Sequence, residues 1–196
     1  MLYLSGAVKP DLPAMLQPGM GNLPPEGQPW AADSGRFAAP HKYTDEGYLA
    51  WLEVRSAHVD RCLFATAPDI VGDAPGTLML SAPMYGRIRA LGYPVALVAQ
   101  DGLEKLAEFI PWDDFDCLFI GGSTHWKLSE HAFGLAAEAK RRGKWTHMGR
   151  VNSAIRYRAA EAAGFDSVDG TFLKYGPDVN RPRLAGWPSN MKGLWQ

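Results

Sequence analysis

The sequence predicts a compact (β/α)8 barrel of the α/β class, on three observations. Eight short apolar runs recur along the 196 residues, near 2–5, 14–17, 29–33, 62–67, 95–100, 116–120, 145–149 and 166–169. Strands of a parallel sheet, buried on both faces, read as such uninterrupted runs. From residue 44 onward, segments with helical patterning alternate with them. Most of the runs stop at a polar tip: Asp33, Asp69, Gln100-Asp101-Gly102, Gly121-Gly122, Gly149-Arg150 and Asp169. Open doubly wound sheets also alternate strand and helix, but the barrel better explains why so many strands end in polar groups, because its catalytic residues come from several strand tips.

Taken in order, the run Leu2-Tyr3-Leu4-Ser5 is followed by an irregular N-terminal loop. Residues 7–30 are rich in Pro and Gly, with one brief strand at Ala14-Met15-Leu16 and no helix before Trp30. Tyr48, Leu49, Trp51, Leu52 and Val54, set against Asp45, Glu46, Glu53 and Arg55, predict a helix within 44–60. A second helix is expected from Thr77 to Leu91, bent or divided by Pro83 and closed by Gly92. Leu103 to Phe109 reads as a short amphipathic helix broken at Pro111. Ser129 to Arg142 is a strong helix with Ser129 as N-cap and Gly143 as stop. Asn152 or Ser153 caps the next, which ends at Gly164. After Gly176-Pro177 the periodicity weakens and an irregular C-terminal tail is expected to pack on the domain. The length fits a single domain over 1–196.

Composition narrows the function classes. Hydrophobic content of 46% and charged content of 21% are those of an ordinary globular domain. No apolar run approaches the ~20 residues of a membrane span, and the first residues lack the pattern of a signal peptide, so a cytoplasmic protein is expected. A net charge of −1 carries no overall basic footprint for nucleic acid. The basic stretch Lys140, Arg141, Arg142 and Lys144 reads as a solvated helix face or, more sharply, as a phosphate-contacting rim. Cys62 and Cys117 fall at the starts of buried strands and read as core thiols; no Cys/His group has zinc spacing. Walker A, Gly-x-Ser-x-Gly and Gly-x-Gly-x-x-Gly patterns are absent.

What remains is a carboxylate-rich mouth with amide and glycine edges. Asp33, opening Asp33-Ser34-Gly35-Arg36-Phe37, suits ligand contact and equally an Asx-type turn. Asp69 and Asp73 could share a proton-transfer, hydrogen-bonding or cation site, with Asp73 better read as a turn or cap residue. The Gln100 amide offers a donor and an acceptor, which suits the edge of a heterocyclic base. Gly121-Gly122 would present backbone N–H groups to an anion or a carbonyl oxygen. Asp169 is a strand-tip acid placed for attack on an anomeric carbon, or a structural residue of an Asp-Gly turn. His147 and Met148 are adjacent and point to opposite faces; His147 reads as a packing residue. Lys127 reads as a surface lysine with phosphate reach.

In this order the segments resemble the tRNA-guanine transglycosylase superfamily, TIM barrels that exchange guanine for a 7-deazaguanine base. Asp33-Ser34-Gly35-Arg36-Phe37 is similar to that family's Asp-Ser-Gly-Gly-Tyr, which implies Asp33 as general acid/base and Phe37 as an aromatic lid. Asp69 in Ala67-Pro68-Asp69, Gln100 with Gly102, and Gly121-Gly122 match the base-recognising positions. His147-Met148-Gly149 resembles Leu-Met-Gly, which implies Met148 beneath the base. Gly164-Phe165-Asp166-Ser167-Val168-Asp169 resembles Gly-Ile-Asp-Met-Phe-Asp, which implies Asp169 as nucleophile. The likeness covers roughly residues 28–172, in short motifs whose order and spacing carry more than any one of them.

Departures accompany it. The zinc motif of the tRNA-type members, Cys-x-Cys-x-x-Cys…His, has no counterpart here, so no cofactor and no zinc site are expected. The chain is shorter, Arg36 stands where the family has Gly, and Gly149-Arg150-Val151-Asn152-Ser153 replaces a simpler turn. In these features the sequence resembles the short DpdA-type branch, which places 7-deazaguanine derivatives in DNA. The resemblance therefore implies base exchange on DNA through a covalent Asp169–glycosyl intermediate, with a flipped guanine as target. Lys127, Arg150 and Arg156 become candidates for the nucleic-acid backbone, and a homodimer or an accessory DNA-binding partner is compatible. A nucleoside hydrolase or deoxyribosyltransferase, a tRNA-acting enzyme and a non-catalytic 7-deazaguanine-binding module remain as alternatives.

Overall fold

The structure, a computed structural model, describes residues 1–188. Eight parallel strands close into a barrel in sequence order: β1 (Leu2–Ser5), β2 (Ala14–Leu16), β3 (Trp30–Ala32), β4 (Cys62–Thr66), β5 (Val95–Ala99), β6 (Cys117–Ile120), β7 (Trp145–Met148) and β8 (Ser167–Gly170). β8 returns to β1 with Leu4 opposite Asp169, which seals the ring. This is the fold class the apolar runs predict, and all eight strands lie where those runs lie. The weak second strand is weak here too: β2 meets β1 through a single register pair, Ser5 with Ala14. Prolines and glycines fill the connections on either side of β2, so neither carries a helix.

A period of two divides the strand residues between two layers. Leu4, Met15, Ala31, Phe64, Ala96, Val98, Cys117 and Phe119 fill the barrel interior. Their neighbours Leu16, Trp30, Ala32, Val95, Leu97, Leu118, Ile120, Met148 and Val168 face outward and pack against the helices. Between Trp30 and Ala32 the register with β4 shifts, a bulge that brings Leu63 against the interior beside Phe64. Cys62 and Cys117 are both buried and free.

The outer helices are α1 (Asp45–Glu53), α2 (Ala74–Ala90), α3 (Thr124–Lys127), α4 (Glu130–Arg141), α5 (Ala154–Ala162) and α6 (Pro177–Ala185). Side-chain caps start five of them: Thr44, Asp73, Ser123, Ser129 and Ser153 each accept a backbone N–H in the first turn. The cap role preferred for Asp73 is the observed one. Four expectations shift. The 44–60 helix ends at Glu53 and resumes as a 3-10 stretch, Ser56–Arg61. Leu103–Phe109 is 3-10 rather than α. Pro83 does not divide α2, because it sits on the solvent side, where the carbonyl left without a donor can meet water.

The fourth shift concerns the C-terminal tail, which contains α6. Pro177 occupies its first turn, where no N–H is needed. Leu184 and Trp187 anchor this helix, with Trp187 against Tyr3, Tyr157 and Phe172. Arg181 adds a pairing to Asp11 of the β1–β2 loop, Nη2 to Oδ1 at 2.8 Å. No helix among the described residues is long and apolar enough to cross a membrane.

Candidate active site

The interior parity of each strand continues past its end and carries polar groups to the barrel mouth. Asp33 follows Ala31 by two, Gln100 follows Val98, Gly121 follows Phe119, Gly149 follows His147 and Asp169 follows Ser167. Two joined cavities result. A narrow slot of about 70 Å³ is lined by Asp33, Phe37, Asp69, Val71, Val98, Gln100, Phe119, Gly121, Gly122, Arg150 and Asp169. A wider one of about 610 Å³ opens toward β1, β2 and the loop after β8, and its polar lining includes Gln17, Asn22, Asn152, Thr171 and Lys174. Asp33, Phe37, Arg150 and Asp169 line both and stand at the junction. A third hollow of about 330 Å³, beside α1, shares no lining residue with either cavity; Ser34 and Gly35, next to Asp33 in sequence, are in its wall.

Asp33 Oδ1 accepts the Gly35 N–H at 2.6 Å, the Asx-type turn that the sequence allowed. The residue nevertheless lines both cavities. Burial pushes its pKa up to about 7 against the opposing Gly35 N–H, with the charges of Asp69 and Asp169 adding to the rise. Asp69 is also raised, again by burial first, while the Arg36 and Arg150 cations pull the other way. Arg36 Nη1 donates to the Asp69 carbonyl at 2.5 Å, which ties the loop after β3 to the tip after β4.

Gln100 is buried and lines the slot. Its Nε2 donates to Asp69 Oδ2 at 2.6 Å, and its Oε1 accepts the N–H groups of Gly72 and Gly122 at 3.0 and 3.1 Å. The amide therefore acts as a strut that aims Asp69. The expectation that Gly121-Gly122 offers its N–H groups is corrected here. The Gly121 N–H belongs to the β5 ladder through Ala99 O, and the Gly122 N–H is held by Gln100.

Space explains the glycines instead. A Cβ on Gly121 would lie 2.8 Å from Val98 Cγ1. On Gly122, which has φ +61°, a Cβ would lie 2.5 Å from Asp101 Oδ2 and 2.6 Å from Trp126 Cε3. Gly122→Ala is expected to cost about 2–4 kcal/mol, read as a lower urea midpoint.

Met148 is not brought to the slot. It is fully buried in the outer layer, because β7 turns the opposite parity inward. Phe119 lines the slot instead. Phe37 stands at the mouth, 57% exposed, with the Arg150 guanidinium 5.3 Å from its ring centre.

Lys127 is also corrected. It is completely buried, and its Nζ donates to Gly149 O at 2.6 Å, so it cannot meet a phosphate. Burial first, then the nearby Arg150 cation, lowers its pKa to about 7, with Asp169 opposing. Arg156 is half-buried and supports the turn by donating to Arg150 O at 3.2 Å. Arg150, whose φ of +60° is the one positive value on a non-glycine among the described residues, donates a guanidinium N–H to Gly122 O and lines both cavities. The basic stretch 140–144 lies at the other end of the barrel, where α4 hands over to β7. There Lys140 pairs with Asp166 at 2.7 Å and Lys144 donates to Phe115 O at 2.8 Å.

His147, read as a packing residue, is the member of the site that sequence reasoning missed. It lies fully buried between Phe64 and Phe119, with ring centres 5.0 and 4.5 Å away. Its Nε2 is 3.0 Å from Asp169 Oδ1, and its Nδ1 is 2.8 Å from Ser167 Oγ. Asp169 Oδ1 also accepts the Arg150 N–H at 3.2 Å. The parity that makes Asp169 face inward makes Ser167 do so too, and Gly149 does the same for His147; that was the available signal.

The arrangement has a hydrogen-bonded carboxylate, Asp169, at the junction, a second carboxyl, Asp33, whose pKa burial raises to about 7, and a third, Asp69, in the lining of the slot. It is placed where (β/α)8 barrels carry their active sites, at the carboxyl ends of the strands. No family model matches the chain, and no curated protein is significantly similar to it.

Proposed function

We propose that the chain is a base-exchange transferase that replaces guanine in DNA with a 7-deazaguanine derivative. The observation that carries this reading is Asp169, fixed at the junction of the narrow slot and the wide cavity, with Asp33 beside it. The slot takes a flipped purine edge-on to Asp69, with Phe119 in its wall and Phe37 at its mouth. The wide cavity takes the sugar, with Arg150 and Lys174 near its phosphates. Asp169 attacks C1′, the C1′–N9 bond breaks toward the base, and Asp33 gives its proton to the departing guanine. The incoming base then loses its N9 proton to the Asp33 carboxylate, and its N9 displaces Asp169 from C1′. A group with a pKa near 7 suits both halves of that proton cycle.

The test is incubation with radiolabelled guanine-containing DNA, with tRNA and with free nucleosides, each with and without a 7-deazaguanine base. Label released from DNA only when the base is added is the expected result. Release from free nucleosides alone would move the protein to a hydrolase or deoxyribosyltransferase, and release from tRNA alone would change the polymer. Tight binding of the base without any release would make it a binding module.

A further inference from the structure

Behind Asp169 runs a chain of hydrogen bonds that the exchange reaction above does not use. Trp145 Nε1 donates to Ser167 Oγ at 2.8 Å, Ser167 Oγ is 2.8 Å from His147 Nδ1, and His147 Nε2 is 3.0 Å from Asp169 Oδ1. An indole N–H can only donate, and a serine hydroxyl has one proton. Ser167 therefore accepts from Trp145, and as Nδ1 is the only other partner of its Oγ among the described residues, the serine proton goes to Nδ1. Nδ1 is thereby the bare nitrogen, and the ring proton is on Nε2, facing the carboxylate.

An imidazolium would reverse the middle bond and leave the hydroxyl proton of a fully buried serine in need of another acceptor. Burial also lowers the His147 pKa, against the pull of Asp169. The ring is clamped by Phe64 and Phe119, so it cannot turn aside. On the carboxylate, His147 and the Arg150 N–H both take Oδ1. Oδ2 accepts no hydrogen bond among the described residues. The side chain is 17% exposed, against 0% for His147.

We infer that His147 is a positioning residue, held as the neutral Nε2–H tautomer by the Trp145–Ser167 pair, which anchors Oδ1 of Asp169 and leaves Oδ2 as the attacking oxygen. The inference rests on the exchange reaction for its kinetic consequence and on hydrogen-bond geometry alone for the tautomer. Two oxygens of a rotating carboxylate would present the nucleophile in many orientations. A fixed one retains the near-attack geometry that accounts for much of the rate of such displacements.

The experiment has two arms on the full chain. In the first, ¹⁵N NMR of histidine-labelled protein reads the His147 tautomer in wild type and in Ser167→Ala. A protonated Nε2 with a bare Nδ1 in wild type, and a mixture in Ser167→Ala, is expected; a protonated Nδ1 in wild type overturns the inference. In the second, guanine exchange is measured for His147→Gln, whose amide N–H reaches the place of Nε2, and for His147→Phe, which fills the space without a donor. His147→Phe is expected to lower kcat about 10²-fold with KM for DNA little changed, and His147→Gln to recover most of it. Equal kcat in the two variants, or a loss confined to KM, overturns it. If wild type itself exchanges no guanine, the proposed reaction falls while the tautomer measurement still decides the hydrogen-bond chain.

Discussion

Asp169→Asn is expected to reduce guanine exchange by about 10⁴-fold or more and to remove any covalent protein–DNA adduct trapped by denaturing quench. The substitution is nearly isosteric. The asparagine carbonyl oxygen can still accept from His147 Nε2 and the Arg150 N–H, as Asp169 Oδ1 does, so the fold and the slot stay in place. What disappears is the anionic oxygen that attacks C1′ in the proposed reaction. Binding of a 7-deazaguanine base should therefore change only a few-fold, because in the proposed reaction its edge meets Asp69. Exchange at the wild-type rate would remove Asp169 from the chemistry, and a lost adduct together with lost base binding would mean that the mouth had collapsed. Asp169→Ala is the less informative variant, since it strips the partner from a fully buried histidine.

The barrel was legible because its physics is local. A strand buried on both faces must be apolar, and the residue just beyond the buried layer is free to be polar; the eight runs and their tips follow from that. Asp33, Asp69, Gln100, Gly121 and Asp169 could all be picked from such tips, and the structure brings them into one slot. What was not legible depended on parity and on partners distant in sequence. Choosing Met148 over His147 is a matter of one residue, and the choice is made by the register that sets His147 opposite Ser167, twenty positions away on the neighbouring strand.

The glycine pair looks like a free hydrogen-bonding edge until the register sets the Gly122 N–H against the Gln100 amide. Lys127 has the prior of a surface residue, but the one-turn helix α3 tucks it under the β7 tip, where the Gly149 carbonyl needs a donor. α6 escaped because its two prolines break the usual helical signal, although one of them sits in the first turn, where proline is at home.

Asp33→Asn is expected to stabilise the protein while it disables the reaction. The Asp33 carboxyl titrates near 7 in the folded chain, raised chiefly by burial from the ordinary value of 3.8. Between those two values the folded state holds a proton that the unfolded state has released, so stability falls as pH rises through that window. Above it, wild type carries an ionised, poorly solvated carboxylate at a cost on the order of 2–4 kcal/mol. Asparagine carries no charge at any pH and can still accept the Gly35 N–H.

Urea unfolding near pH 8 should thus give a higher midpoint for Asp33→Asn than for wild type, and the gap should shrink toward zero near pH 4, where both side chains are neutral. Exchange should fall about 10²–10⁴-fold in the variant, the usual size of a lost general acid/base. In wild type, uptake of the incoming base should slow below about pH 7, as the carboxylate that accepts its proton becomes protonated. A variant less stable than wild type at pH 8 would mean that the Asp33 charge is well solvated. In that case a proton donor near neutrality would have to be sought elsewhere in the slot, with Asp69, the other acid raised by burial, the first to test.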